Sequence, residues 1–180
     1  MESDAELLTR VRIGDDRDAF AELVGRHQSA VRRFLRHLCR NNFAQADDLA
    51  QDTFIDAYRA LDHFRGESSF SAWLLGIAHN QFRNSWRRQQ TAERASAQIA
   101  ATIESAPHAT RASDLRRDLS EALGQLSQDE QAAVHLCYQQ GLSHSEIAEV
   151  LDWPIGTVKT HLGRGKEKLR HLLAAWNPQT

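Results

Sequence analysis

Residues 143–172 read SHSEIAEVLDWPIGTVKTHLGRGKEKLRHL, and this stretch decides the fold. Ser143 followed by Glu146 is the S-x-x-E capping-box pattern that opens a helix. Ile147, Ala148, Val150 and Leu151 then recur at helical spacing. Asp152-Trp153-Pro154 interrupts the run, because proline lacks a backbone donor and restricts the residue before it. A second helix follows. It carries Val158, Leu162 and Leu169 on one side, with Lys159, Thr160, Arg164, Lys166 and Lys168 largely off that stripe. A capped helix, a tight break and a basic second helix make up a helix-turn-helix, whose second helix enters the major groove. The residue types fit that work. Lysine and arginine neutralise phosphates and reach guanine acceptors, threonine bonds to phosphate or base, and Gly156 lets the backbone approach closely. A helical hairpin with a solvated basic face is the competing reading. The coincidence of cap, break and basic helix favours DNA.

Upstream the pattern stays helical. Ser127 and Glu130 form a second S-x-x-E pair, a helix starts near Leu115, and Gly141 suits a helix C-terminus. In the N-terminal half three sets step by three, four and seven: Phe20 to Leu38, Leu49 to Leu61, and Phe70 to Trp86. No run alternates apolar and polar with β-branched enrichment, so no strand is expected. Residues 93–112 turn small and polar around Pro107, with room for one short helix at Ile99 and Ile103. The expectation is an all-α chain of two small helical domains, 1–92 and 113–177. A flexible linker at 93–112 joins them.

The composition of the 180 residues, 41% apolar and 26% charged, is that of a globular protein. No stretch approaches eighteen consecutive apolar residues, and the acidic N-terminus is not a secretory signal. A cytoplasmic chain with no membrane insertion is expected. Cys39 and Cys137 form no CxxC, so a disulfide scaffold is not expected. The net charge of −2 argues against nucleic acid until it is sorted by segment. Residues 1–22 and 44–62 each carry −4, residues 79–94 carry +3, and residues 155–176 carry +4. The near-zero sum hides a polarised chain.

Residues 44–64 read AQADDLAQDTFIDAYRALDHF. On a helix Asp48, Gln51 and Asp52 share a face, with Leu49, Thr53 and Phe54 beside them. Such a face suits docking on a basic, partly apolar helix of another protein. Carboxylates complementing a helix dipole account for Asp47 and Asp48, but less well for Asp52 and Asp56 deeper in the helix. Residues 63–88 read HFRGESSFSAWLLGIAHNQFRNSWRR. Helical spacing makes Trp73, Ile77 and Phe82 core residues. The contact candidates are the polar loop (Arg65, Gly66, Glu67, Ser68, Ser69) and His79, Asn80, Arg83, Asn84, Arg87 and Arg88. Asparagine reads base edges and arginine follows the backbone of unpaired strands. No Ser-His-Asp set, phosphate loop or HExxH is legible, and the histidines are scattered. No catalysis, metal site or cofactor is expected.

These motifs carry a resemblance. The run from Asp47 to Arg88 looks like region 2 of bacterial RNA polymerase sigma factors. The run LSQDEQAAVHLCYQQGLSHSEIAEVLDWPIGTVKTHLGRGKEKLRHLL looks like region 4. The match covers about residues 5–174 and leaves no room for other regions, which is the small extracytoplasmic-function (ECF) type. The resemblance implies that Asp48, Leu49, Gln51, Asp52 and Phe54 dock on the β′ clamp helices of core RNA polymerase. It implies that Arg65, Gly66, Glu67, Ser68, Ser69, His79, Asn80, Arg83, Asn84, Arg87 and Arg88 handle the melted −10 promoter strand. It gives the −35 duplex to Ser143, Gly156, Thr157, Lys159, Thr160, His161, Arg164 and Lys168, with region 4 also packing on the β flap. An anti-sigma factor is the regulator it implies. Three departures stand out. Asp52 occupies a position where glutamate is commoner, His79 and His161 stand where arginine is common, and Asp152-Trp153-Pro154 is bulkier than the usual turn. Largely neutral imidazoles would weaken phosphate contact near pH 7. The competing function, a stand-alone helix-turn-helix regulator, accounts for residues 127–173 only. A helical enzyme would need a convergent titratable set.

Overall fold

The computed structural model describes residues 2–40, 42–96 and 114–174, and among them the secondary structure is helical without strands. The helices are α1 (Asp4–Gly14), α2 (Arg17–Leu38), α3 (Phe43–Arg59), α4 (Phe70–Ser96), α5 (Asp114–Gly124), α6 (Gln128–Tyr138), α7 (His144–Leu151) and α8 (Ile155–Leu172). α4 continues four residues past the expected domain end at 92. The rest of the segment read as a linker, including Ile99, Ile103 and Pro107, lies outside the described residues.

Local chemistry sets the helix ends. Ser3, Ser127 and Ser143 cap α1, α6 and α7, and in each case the glutamate three residues on bonds back to the serine N–H. Asp16 caps α2 by accepting from the N–H groups of Asp18 and Ala19. Each such cap satisfies donors that the helix start leaves open, worth about 1 kcal/mol. Gly141 lies within the α6–α7 connection with φ +69, and the N–H of the next residue, Leu142, reaches back to the carbonyl of Leu136 at 3.1 Å.

α1 to α4 form the first bundle around Leu7, Leu23, Phe34, Leu35, Leu38, Leu74 and Leu75, all fully buried. α1 is fastened to α2 by Arg26 on Asp4 (2.9 Å) and by His27 on Asp4 (2.6 Å), and Glu22, one turn before Arg26 on α2, also pairs with its guanidinium. α6, α7 and α8 form the second bundle over Leu136, Ile147, Leu151 and Val158. Here α8 comes so close to α6 that a Cβ on Gly165 would sit 2.8 Å from Cγ2 of Val134. Gly165→Val is therefore expected to cost about 1–3 kcal/mol, read as a lowered unfolding midpoint. An unchanged midpoint would show that α8 can back away freely.

The two bundles also pack on each other. α7 lies on α4 and α6 on α2, and one contiguous apolar core runs through both. Gly76 on α4 faces the backbone of Val150 on α7, 3.5 Å from where its Cβ would be.

Candidate functional site

Three surfaces carry the chemistry that the sequence singles out. The first is on α3. Asp48, Gln51 and Asp52 are exposed. Neither aspartate has an ion-pair partner among the described residues. The neighbouring acids are engaged: Asp47 faces Arg32 and Arg36 at 3.7 and 3.3 Å, and Asp56 takes the Gln81 amide. Leu49 is a correction. At 7% exposure it is part of the core, and its carbonyl accepts from the Thr53 hydroxyl at 2.7 Å. Phe54 is half-buried. The apolar member of the outward face is instead Ile55, 48% exposed and seven residues from Asp48. The sequence signal for it was there, because positions i, i+3, i+4 and i+7 share a helix face.

The second surface is the α3–α4 loop with the outer side of α4. Arg65, Gly66 and Glu67 are exposed, and Gly66 has φ +75, which glycine adopts without strain. Below them Phe64, Phe70 and Trp73 cluster with ring centroids 5.1–5.7 Å apart. Arg12 reaches across from α1 to the carbonyls of Asp62 and Phe64 at 3.4 and 3.5 Å. This brace of the loop was not legible, since the partners lie fifty residues apart. Ser69 accepts from the N–H of Ala72 at 3.1 Å and so starts α4, while Ser68 is half-buried. Asn80, Asn84, Arg87 and Arg88 are exposed at the spacing of one helix face, and Arg83 is half-buried. Arg83, Arg87, Phe82 and Trp86 border a cavity of about 230 Å³ that Leu38, Gln128 and Asp129 close.

His79 is a second correction. It is 3% exposed, turned under the second bundle, and burial pushes its imidazole down to about 4. It is uncharged at neutral pH and contacts Phe34 and Trp153 rather than solvent. Helical periodicity within one domain could not show this, because the covering residue comes from the other.

The third surface is α8. Gly156, Lys159, Thr160 and Arg164 are exposed, and Thr157 is half-buried. The Thr160 hydroxyl donates to the carbonyl of Gly156 at 2.9 Å. Ser143 serves as the cap of α7. His161 is half-buried against Trp153, ring centroids 5.0 Å apart, so it supports the turn. Lys168 is engaged by buried Glu130 at 2.7 Å, an ion pair that fastens α8 to α6. Burial raises the Glu130 carboxyl, but Lys168 and the Ser127 N–H outweigh this and hold it below the ordinary glutamate range.

Among the described residues, helices present a basic helix-turn-helix, a basic helix beside an exposed loop, and an acidic face without ion-pair partners, chemistry suited to holding DNA and a protein together. The family model for sigma-70 region 2 matches residues 23–92, and that for sigma-70 region 4 matches residues 116–169. The chain is 34% identical to an ECF RNA polymerase sigma-E factor of Haemophilus influenzae, over 94% of both chains. It is 38% identical to RNA polymerase sigma factor CarQ of Myxococcus xanthus, over 87% of this chain and 90% of that one. Among solved structures it is similar to the sigma factor RpoE of Bartonella quintana in complex with the anti-sigma factor NepR. That match has a TM-score of 0.72 and 29% identity, over 86% of this chain and 96% of that one. It is also similar to CnrH in complex with the cytosolic domain of CnrY, with a TM-score of 0.69 and 29% identity, over 97% and 99%. The chain belongs to the ECF sigma factors of RNA polymerase, the subunits that direct promoter-specific initiation.

Proposed function

We propose that the three surfaces divide the work of a sigma factor. The α3 face of Asp48, Gln51, Asp52 and Ile55, with Phe54 at its edge, binds the β′ subunit of core RNA polymerase. The loop from Arg65 to Ser69, with Asn80, Arg83, Asn84, Arg87 and Arg88, holds the melted −10 strand. Gly156, Thr157, Lys159, Thr160 and Arg164 engage the −35 duplex. An anti-sigma factor regulates the chain, a reading supported by the similarity to the Bartonella sigma factor found in complex with one. The carrying observation is that Asp48 and Asp52 stand exposed without ion-pair partners among the described residues, beside exposed Ile55.

This arrangement has a physical logic. Unpairing and unstacking bases costs a few kcal/mol. A chain of this size gains too little from its own DNA contacts to offset that, so affinity for free DNA is weak and core polymerase supplies the remainder. A pull-down tests the reading. Tagged chain is expected to retain core polymerase and to bind free duplex weakly. Failure to retain core, together with tight binding to duplex alone, would support a stand-alone regulator.

A further inference from the structure

Residues 26–40, from α2 and the turn after it, read RHQSAVRRFLRHLCR, five arginines without an acid. Their charge of +5 exceeds the +3 and +4 of residues 79–94 and 155–176, yet none of the three surfaces uses it. Asp4 and Glu22 occupy Arg26. The other arginines gather further along α2. Ser29, Arg32, Arg33, Arg36 and His37 line an open cleft of about 430 Å³, and among the described residues no carboxylate lines it. Asp47 borders it from α3, shared between Arg32 at 3.7 Å and Arg36 at 3.3 Å. His37 stands toward the end of α6, its Nε2 3.5 Å from the Gln139 amide nitrogen. Arg33 and Arg40 are exposed and have no ion-pair partner among the described residues.

A merely solvated helix face interleaves acids with bases, because like charges at i and i+4 weaken a helix. Here Arg32, Arg36 and Arg40 repeat at that spacing, with Arg33 beside them. Arg36 is also held in place. Its guanidinium carbon lies over the Phe43 ring, 5.2 Å from the centroid, and its Nη2 donates to Asp47. Its Nε is shielded from water and has no hydrogen-bond acceptor. A shielded donor left unmet is costly, and a bound anion satisfies it. We propose that this cleft binds a small anion carrying linked phosphates, the group that nucleoside diphosphates and triphosphates share with inorganic pyrophosphate. The site belongs to the free chain and does not depend on the promoter reading.

The lining selects phosphate. Guanidinium forks match phosphate oxygens two at a time, and Ser29 adds a hydroxyl donor. Arg32 and Arg36 are one turn apart, about 6 Å along the axis, with Arg33 between them in sequence. Three forks thus converge over a length that two linked phosphates span. With Asp47 counted and His37 uncharged, since burial and Arg33 lower its imidazole, the cleft keeps a charge of about +2. A carboxylate side chain brings one charge and two acceptors and leaves most of these donors unmet. The volume falls in the range of small-molecule sites, about 300–1,000 Å³. Duplex DNA fits less well. Phe34 and Leu38 face α4, so the arginines lie on the side of α2 turned away from it. They are also confined to about two turns of one helix.

Isothermal titration calorimetry of the full-length chain at constant ionic strength tests this. The probes are inorganic pyrophosphate, ATP, orthophosphate and a short mixed-sequence duplex. Saturable binding of pyrophosphate or ATP at one site is expected, about tenfold or more tighter than orthophosphate. Tighter binding of ATP assigns the site to a nucleotide, and equal or tighter binding of pyrophosphate assigns it to the phosphates alone. Arg33 has no ion-pair partner among the described residues, so Arg33→Ala is expected to keep its helix content and to bind the tighter probe about tenfold more weakly. Arg33→Lys, which keeps the charge without the fork, falls between. Arg59→Ala, which removes an exposed arginine of α3, binds as the wild type does. The Arg36 Nε–H resonance shifts on titration. An equal loss in Arg59→Ala and Arg33→Ala would overturn the cleft in favour of diffuse attraction. Absent saturation, or affinity no better than for orthophosphate, would overturn the linked phosphates. Displacement of the small anion by the duplex would make nucleic acid the occupant and overturn the proposal.

Discussion

Replacing Asp48 and Asp52 together with lysine is expected to lower affinity for core RNA polymerase about 100-fold while leaving the helical fold unchanged. Both side chains are exposed and neither holds another part of the chain among the described residues, so reversal removes no internal contact. The interaction with a basic partner does change sign. Charges 4 Å apart near a protein surface interact by about 4 kcal/mol before screening, so a loss of about 3 kcal/mol for the pair is modest. That corresponds to a factor of about 100. Titration of labelled chain with core polymerase reads it directly. Part of the loss should appear as slower association, and it should shrink in high salt. Equal affinity for the reversed pair would mean that another face docks on polymerase.

Removing Lys159 and Arg164 by alanine substitution should weaken promoter binding of the holoenzyme through the −35 element. Each phosphate left without its cation flattens the log–log dependence of binding on salt by about 0.9, so the pair flattens it by about 1.8. Lys168→Ala provides the contrast. Its ammonium is held by buried Glu130, so its removal leaves a buried carboxylate unpaired and destabilises region 4. The Lys168 variant should lower the unfolding midpoint and leave the salt slope near that of the wild type. An unchanged slope for the Lys159 and Arg164 pair would mean that α8 does not bind phosphate through these two side chains.

What the sequence disclosed follows the range of the interactions. Capping boxes act over three residues, so Ser127, Glu130, Ser143 and Glu146 marked the starts of α6 and α7 and the helix-turn-helix was legible throughout. The acidic face of α3 was legible apart from its phase. Leu49 points inward and Ile55 outward, a difference that adjacency in sequence blurs and the seven-residue spacing resolves. Residue type and position alone assign His79, His161 and Lys168 to DNA. Trp153 meets His79 across a domain boundary and His161 from the turn before α8, and Glu130 meets Lys168 from another helix. The bulk of Asp152-Trp153-Pro154 was legible as a departure but not as a contact. Its meaning came with the packing of Trp153 over His79, which joins residues 74 positions apart. The net charge of −2 said least, because opposed blocks cancel in it.

Whether this chain gives core RNA polymerase a promoter is tested most directly by run-off transcription. The assay combines core polymerase and purified chain on genomic fragments from the chain's own source. Discrete transcripts are expected that need both components and whose upstream DNA shares a −10 and a −35 element. Core polymerase that binds the chain without gaining any promoter-specific transcript, or transcripts unaffected by its omission, would contradict the role assigned to the chain.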